Sequence, residues 1–214
     1  MQPPRHDPAA IYRYRDCDAR PYYASMAERG RVLAPALARA VDLSAARRLL
    51  DIGGGSGVYS IAMVEQEPRL RAVVLEAPPV DAIARRTMDR SPAADRLEVV
   101  AADMFRDPWP GACDVHLYSN VLHDWDVAEC RRLLAASAAG LPADGRILIH
   151  DMLIADDRSG PLWAAEYAVL LATVTQGRLY TAGEIAGWLA EIGFRIARRA
   201  ETALGRSLLE CVRA

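Results

Sequence analysis

The sequence predicts an α/β fold in which helices cover a doubly wound, mostly parallel sheet of seven strands. Two observations lead to this prediction. From Arg48 onward, short β-branched or Leu-rich runs alternate with longer segments rich in Ala, Arg and Leu, the pattern of strands and helices alternating in a parallel sheet. Closely spaced glycines at 53–57 follow the first predicted strand, where such a fold places a ligand-binding turn.

The individual elements follow from runs of apolar residues and from the turn residues that bound them. The predicted strands are 48–52, 72–75, 97–100, 115–118, 147–153, 195–199 and 208–212. The predicted helices are 22–41, 58–66, 80–89, 127–139, 163–174 and 181–192. The helix at 181–192 has the clearest bounds, since Thr181 and Glu184 have the spacing of a capping box and Gly193 can end it.

Composition limits the class of protein. The 214 residues suffice for one domain of this kind, and the formal net charge of −2 favours a small-molecule partner over nucleic acid or an anionic membrane. All the basic side chains other than His are Arg, so neither a pyridoxal-phosphate Schiff base nor a P-loop lysine is possible. The four cysteines lack metal-site spacing, and no apolar run is long enough for a membrane span. We therefore expect a cytoplasmic protein without a metal site.

Three successive strand ends carry groups suited to a nucleoside. Gly53, Gly55 and Gly57 form the turn after the first strand, and Glu76 ends the second strand about twenty residues on. A carboxylate there can accept hydrogen bonds from ribose hydroxyls. Asp103 and Met104 follow the third strand, where an acid can meet an adenine amine and a thioether can cover the ring.

Other interpretations of these residues remain open. The glycines can form a tight turn without any ligand, and Glu76 can be a solvated acid at a strand end. A dinucleotide-binding domain also begins with a glycine turn, but this sequence lacks the third glycine of G-x-G-x-x-G. The spacing therefore favours a ligand without a pyrophosphate.

The sequence Asn-Val-Leu-His-Asp-Trp-Asp, residues 120–126, follows the fourth strand. His123 in it is predicted to lie on a loop above the carboxyl edge of the sheet, where an imidazole can act as a general base. An isolated histidine more often has a structural role, so this pattern alone leaves both interpretations open.

Taken together, DIGGGSG, LEAPPV, AADMF and NVLHDWD, in this order and spacing, resemble the small-molecule O-methyltransferases typified by plant caffeic acid O-methyltransferase and its bacterial antibiotic-pathway relatives. The resemblance extends from about Tyr22 to the C-terminus. It implies a Rossmann-like class I methyltransferase fold at 45–214, after a helical segment at 1–44 left from a dimerisation region. It also implies S-adenosylmethionine as cofactor, bound by Asp51, Gly53, Gly55, Gly57, Glu76, Asp103, Met104 and Ser119.

The resemblance also implies catalytic residues. His123 matches the family's general base, and Asp151 matches an acid that orients it, although the family usually has the longer Glu there. A second family acid is replaced by Leu179, which is a departure from the pattern. The acceptor is expected to be a hydroxyl of a small aromatic or polyketide-type molecule. We expect its pocket to be lined by Trp125, Tyr167, Leu170 and Val174. The last three are predicted to lie on the inward face of the helix at 163–174.

Family members usually begin with a longer helical domain that dimerises and caps the acceptor pocket. We therefore expect a homodimer or a second polypeptide that supplies the cap, docked on the apolar residues of the helix at 22–41, although these residues can equally pack on the domain itself. Two further functions stay open: another reaction on this fold, such as decarboxylation, hydroxylation or cyclisation, and a non-catalytic cofactor-binding subunit of a two-component enzyme.

Overall fold

A computed structural model describes residues 20–214, with the side chains of residues 20–27 and 174 outside the description. Its helices are α1 (Arg20–Ala40), α2 (Val58–Gln66), α3 (Asp81–Met88), α4 (Val127–Gly140), α5 (Leu162–Val174) and α6 (Ala182–Glu191). Its strands are β1 (Arg48–Ile52), β2 (Arg71–Glu76), β3 (Leu97–Ala101), β4 (Val115–Ser119), β5 (Arg146–Met152), β6 (Phe194–Glu201) and β7 (Arg206–Arg213). Each predicted element is therefore present, with bounds that differ by at most two residues.

The seven strands form one sheet in the order β3-β2-β1-β4-β5-β7-β6. The five strands from β3 to β5 are parallel, and β7 pairs antiparallel with both β5 and β6. The strand order reverses between β1 and β4, and ligands bind beyond the carboxyl ends of the strands at such a point. The predicted doubly wound, mostly parallel fold is confirmed.

Alternation along the strands divides the core into two layers. On β1, Leu50 and Ile52 belong to the layer covered by α4 and α6, whereas Leu49 belongs to the layer on the opposite face. On β5, Ile147 and Ile149 lie in the first layer and Leu148 in the second. This alternation places Asp151 on the face of Ile149, which decides its partner at the site.

The helix α1 packs on the domain itself. Leu33 and Leu37 are buried, and a Cβ on Gly30 would lie 2.4 Å from the Val58 side chain, so α1 crosses the start of α2 closely. Val32 stays exposed, and the side chains of Tyr22, Tyr23 and Met26 lie outside the described residues. Much of the apolar face of α1 thus contributes to the core of this chain.

The helix α6 begins with the expected capping box. The Thr181 side chain accepts a hydrogen bond from the Glu184 N–H, and the Glu184 side chain accepts one from the Thr181 N–H. Gly193 follows the helix with a φ of 72°, a conformation suited to the end of a helix. Over residues 20–214, no helix combines the length and the apolarity that crossing a membrane requires.

Candidate active site

The glycine turn joins β1 to α2 at the carboxyl edge of the sheet. Gly55 has a φ of +57°, and a Cβ built on it would meet nothing within 4 Å. The backbone at this residue therefore faces open space that a ligand can enter closely. At Gly53, a Cβ would lie 3.8 Å from the Met104 sulfur, so the turn after β3 lies over the glycine turn as the sequence predicts.

Glu76, the last residue of β2, links that strand to the glycine turn. Its Oε2 accepts a hydrogen bond from the Gly55 N–H at 2.9 Å, and its Oε1 accepts one from the Ala77 N–H at 2.8 Å. The side chain is buried, and burial raises its pKa to about 7 although both N–H groups act in the opposite direction. A carboxylate oxygen has two lone pairs, so both oxygens can still accept a hydrogen bond from a ligand hydroxyl.

Asp51 lies beneath the turn with one unsatisfied oxygen. Its Oδ2 accepts a hydrogen bond from the Ser60 hydroxyl at 2.8 Å, whereas Oδ1 is buried without a partner. Burial raises its pKa to about 6. A buried oxygen without a donor is unfavourable, so this atom marks a place where a ligand donor would be stabilised.

Asp103 already uses part of its hydrogen-bonding capacity within the protein. Its Oδ1 accepts a hydrogen bond from the Phe105 N–H at 2.8 Å, which stabilises the turn after β3. Its Oδ2 lies 3.7 Å from Nε of the exposed Arg106. One oxygen of Asp103 therefore shapes the turn, and the other can still meet a ligand amine.

His123 and Asp151 form a buried pair at the same edge. Because β4 and β5 are neighbours and parallel, the short 3₁₀ turn Leu122–Asp124 lies beside the end of β5. Nδ1 of His123 lies 2.5 Å from Oδ1 of Asp151. The shorter acid therefore does reach the histidine.

This contact determines the state of the imidazole. With Asp151 ionised, Nδ1 carries the proton, which leaves Nε2 able to accept one. Burial lowers the pKa of His123, but the carboxylates of Asp151 and Asp124 outweigh it and the pKa is raised. Asp124 contributes because its Oδ1 lies 3.6 Å from Nε2. The site therefore favours proton uptake at His123.

The residues expected to line the acceptor pocket differ in their placement. The Tyr167 ring lies edge-on to the His123 ring, with centroids 5.7 Å apart, so this residue is beside the candidate base. Leu170 is exposed rather than facing inward, which contradicts the prediction, because Leu171 is the buried residue at this turn of α5. The side chain of Val174 lies outside the described residues.

Trp125 is not at the surface of the site. It is buried in the core, where its ring lies 4.6 Å from that of Phe105, and its carbonyl accepts a hydrogen bond from the Tyr180 hydroxyl. The predicted contact of Trp125 with the substrate stays a prediction. The indole supports the 3₁₀ turn that carries His123, and its local sequence did not reveal this because a turn residue can face either way.

Leu179 occupies an apolar cluster with Met152, Ala164 and Leu171. Its side chain is buried, so the place of the second family acid is filled by hydrophobic packing. Asp124 is the additional acid near His123 in this chain. Its position directly after the histidine is the sequence signal that could have revealed it.

A chain of polar side chains near the base was missed by the sequence analysis. The Asn120 amide donates to the Tyr59 hydroxyl at 2.9 Å and accepts from Nε of Arg206 at 3.1 Å. Ser119 interacts with Nδ1 of His150 at 2.9 Å, so its predicted contact with the cofactor stays a prediction. Asn120 lies in a motif already recognised, but nothing local distinguishes Arg206, which is 86 residues away.

The described residues, 20–214, contain no grouping of His, Cys, Asp and Glu that could hold a metal ion. The site consists instead of a glycine turn, acids at three strand ends and an aspartate-supported histidine. A doubly wound sheet with these groups at its switch point defines a Rossmann-like nucleoside-binding domain.

Comparison with known proteins identifies the family. The family model that describes the O-methyltransferase domain matches residues 8–195, so the chain belongs to this family. It is 40% identical over 157 residues to 3-hydroxy-5-methyl-1-naphthoate 3-O-methyltransferase of Streptomyces sahachiroi, a match that covers 73% of this chain and 46% of that protein. The chain spans about half the length of the curated relatives it matches.

Solved structures resemble this chain over most of its length. An O-methyltransferase family 2 protein from Planctomyces limnophilus, in complex with apigenin, is 37% identical with a TM-score of 0.87, covering 92% of this chain and 61% of that one. Human N-acetylserotonin methyltransferase, in complex with S-adenosylmethionine, is 25% identical with a TM-score of 0.88, covering 100% of this chain and 60% of that one. These structures confirm the class I methyltransferase fold.

Proposed function

We propose that this chain is the cofactor-binding and catalytic part of an S-adenosylmethionine-dependent O-methyltransferase that acts on a hydroxyl of a small aromatic or polyketide-type metabolite. The observation that carries the proposal is the buried His123–Asp151 pair at the same sheet edge as the glycine turn. Membership of the O-methyltransferase domain family supports it. So does the similarity to a naphthoate O-methyltransferase and to a methyltransferase solved with S-adenosylmethionine.

The residues at the switch point fit this cofactor. The open space at Gly55 admits a ligand close to the backbone, and Glu76 offers two carboxylate oxygens to ribose hydroxyls. The buried, unsatisfied Oδ1 of Asp51 can accept from a ligand N–H. Asp103 and Met104 would hold the adenine. When bound, S-adenosylmethionine supplies a methyl group activated by a sulfonium.

His123 would remove the proton of the acceptor hydroxyl. Its Nε2 is the free basic atom, because Nδ1 is directed at Asp151. A neutral hydroxyl is a poor nucleophile, and a positioned base contributes on the order of 10² to 10⁴ in rate. Asp151 holds the ring in the reactive tautomer and stabilises the imidazolium that forms. Tyr167, edge-on to His123, would contact the acceptor ring.

We also propose that residues 45–214 are the cofactor-binding domain and that another subunit covers its acceptor side. The support is an exposed apolar surface on α5, formed by Leu162, Trp163, Val169 and Leu170. Surfaces of this kind commonly mark an interface. A second copy of the chain would show in light scattering as twice the monomer mass, whereas a monomer that methylates its acceptor at about 1 per second or faster would contradict this proposal.

Calorimetry and an isotope assay test the proposed activity. We expect S-adenosylmethionine, and not NAD, to bind the purified chain, because the strand-end groups suit a nucleoside without a pyrophosphate. Transfer of a labelled methyl group to hydroxylated aromatic compounds, with mass spectrometry of the product, should then show an O-methyl ether. Tight NAD binding would overturn the cofactor assignment. Cofactor binding without any methylated product would instead favour another reaction on this fold or a non-catalytic subunit.

A further inference from the structure

Arg206 is a buried cation that forms no ion pair with a carboxylate among residues 20–214. It is 5% exposed and begins β7, where it is paired with Met152 of β5, the residue after Asp151. Buried charges in proteins are normally paired or hydrogen-bonded to completion, since desolvation of a lone charge is strongly unfavourable. The exception at this position requires an explanation.

The guanidinium of Arg206 has N–H donors without a hydrogen-bond acceptor. It carries five N–H groups, of which Nε donates to Asn120 and Nη1 donates one to the Leu204 carbonyl at 2.9 Å. Three N–H groups therefore remain for other acceptors. Nη2, which carries two of them, is buried and has no partner. A planar arginine edge with free donors matches the geometry of a carboxylate.

The position of Arg206 places this edge at the acceptor side. Its Cζ lies 5.5 Å from the centre of the Tyr167 ring, the same ring that lies edge-on to His123. The cation and the candidate base therefore contact one aromatic side chain. Asp151 and Asp124 both interact with His123, and neither forms an ion pair with Arg206.

The surrounding structure holds Arg206 in place. Asn120 anchors Nε and is itself held by Tyr59 of α2. The turn before β7 is closed by a hydrogen bond from the Arg206 N–H to the Ala203 carbonyl. A Cβ on Gly205 would lie 2.3 Å from the Trp163 indole, so α5 packs directly on this turn. A preorganised cation with a free edge is the arrangement expected of a ligand-binding residue.

We propose that Arg206 binds a carboxylate of a ligand in this site, supplied by an aromatic acceptor or by the amino-acid end of the cofactor. The inference rests on the proposed function, because it assigns a ligand group to the same site. It adds a charge requirement that neither the glycine turn nor His123 imposes. An acceptor with a carboxylate near its hydroxyl would be oriented by Arg206 and Tyr167 together.

Two matched pairs of probes test the proposal by calorimetry on the full chain. The acceptor pair is 3-hydroxy-2-naphthoate and its neutral amide, measured with and without S-adenosylhomocysteine. The cofactor pair is S-adenosylhomocysteine and its decarboxylated analogue. The proteins are the native chain, Arg206→Met, Arg206→Lys and the control Arg195→Met, since Arg195 is an exposed arginine on the neighbouring β6.

We expect the native chain to bind the carboxylate member of one pair at least tenfold more tightly than its neutral partner. Arg206→Met should abolish that preference, Arg206→Lys should retain part of it, and Arg195→Met should leave it intact. The probe pair whose preference is lost in Arg206→Met identifies whether the carboxylate belongs to the acceptor or to the cofactor. Thermal unfolding of each variant verifies that it is folded, and the preference in the native chain is informative even if Arg206→Met does not fold.

Equal affinity for both members of each pair in the native chain would overturn the proposal, and so would a preference that survives in folded Arg206→Met. Failure of the proposed function is distinguishable from this result. A native chain that binds neither cofactor analogue contradicts the cofactor assignment, while the naphthoate pair measured without cofactor still tests Arg206.

Discussion

On the glycine-turn side, the site is formed by the open backbone of the turn and by acids at or just beyond the ends of β1, β2 and β3. On the acceptor side it is formed by longer side chains from four elements, namely His123, Asp151, Tyr167 and Arg206. The first side is built largely by the backbone path and is closed by one acid, Glu76. The second depends on side-chain contacts between distant segments. Substitutions should therefore have separable effects, on cofactor affinity at one side and on turnover at the other.

The largest expected effect is on turnover. His123→Ala should reduce kcat by about 10² to 10⁴ because the base is lost. It should leave S-adenosylmethionine affinity within about twofold, since the hydrogen bonds and ring contact described for His123 are to Asp151 and Tyr167 rather than to the glycine turn. Initial rates and calorimetry on the same preparation measure both quantities. Activity within a few-fold of the native chain would show that the acceptor arrives already ionised.

Glu76→Ala should act on the other side. Loss of charge-assisted hydrogen bonds to the ribose should weaken S-adenosylmethionine binding by roughly 10- to 100-fold. The variant also removes the acceptor for the Gly55 N–H, so Glu76→Gln serves as a control that keeps one oxygen and the length of the side chain. If Glu76→Ala bound the cofactor as the native chain does, the ribose assignment would be wrong.

Alanine substitutions at two glycines test how tightly the acceptor side is packed. A Cβ on Gly177 would lie 2.3 Å from the His123 carbonyl and 2.5 Å from the Trp125 carbonyl. Gly177→Ala should therefore destabilise the fold by roughly 2 kcal/mol, through displacement of the turn that carries the base. Gly187, exposed within α6 with nothing near its Cβ, is the matched control.

Gly187→Ala should instead stabilise the chain by roughly 0.5 to 1 kcal/mol through helix propensity. Denaturant unfolding measures both changes. Equal stability of the two variants would mean that the turn after α5 adapts to the added methyl group, and that the acceptor side is less tightly packed than this structure shows.

The last expected effect, no larger than that of Gly177→Ala, is on the pH dependence of stability. Burial lowers the pKa of His116 to about 4 from 6.5, so the unfolded chain binds the proton more readily at pH 5. The contribution of His116 to stability is complete above pH 6.5 and decreases as the pH falls toward 4. Between pH 7 and pH 5, His116→Gln should lose about 1 to 2 kcal/mol less unfolding free energy than the native chain.

His116 lies in β4, bonded to Ser137 of α4, away from both sides of the site. Chemical denaturation at the two pH values provides the measurement. If the unfolding free energy of His116→Gln fell between pH 7 and pH 5 by as much as that of the native chain, His116 would titrate normally in the folded chain. His150, whose pKa burial also lowers to about 4, would then remain as the group to test.

Sequence reasoning predicted the glycine-turn side well because its signals are local. A strand, a turn and a helix follow one another within twenty residues, and positive φ values at Gly53 and Gly55 require glycine. The pairing of His123 with Asp151 came from the family resemblance. The geometry of this pair depends on two features that local sequence does not specify. One is that β4 and β5 are neighbours in the sheet, and the other is which face of the sheet each side chain of β5 occupies.

One incorrect prediction, and two features that the sequence did not reveal, concern the placement of single side chains. Leu170 and Leu171 are adjacent leucines on α5, and hydrophobicity alone cannot decide which one faces the domain. Trp125 belongs to a motif with a functional residue, yet it supports the motif from the core. Arg206 went unnoticed because its role depends on its burial and on its contacts with Asn120 and Tyr167, which are distant in the sequence.

The order of the strands has a consequence for assembly of the chain. β6 precedes β7 along the sequence but lies outside it, and it pairs with β7 and with no other strand of the described sheet. β6 can therefore join the sheet only together with β7 or after it. Because Arg206 begins β7, the pairing of β7 with β5 also brings the cation to the site. The residues of the glycine turn are therefore synthesised long before this cation, which reaches its place beside Tyr167 only when the last strand of the chain pairs.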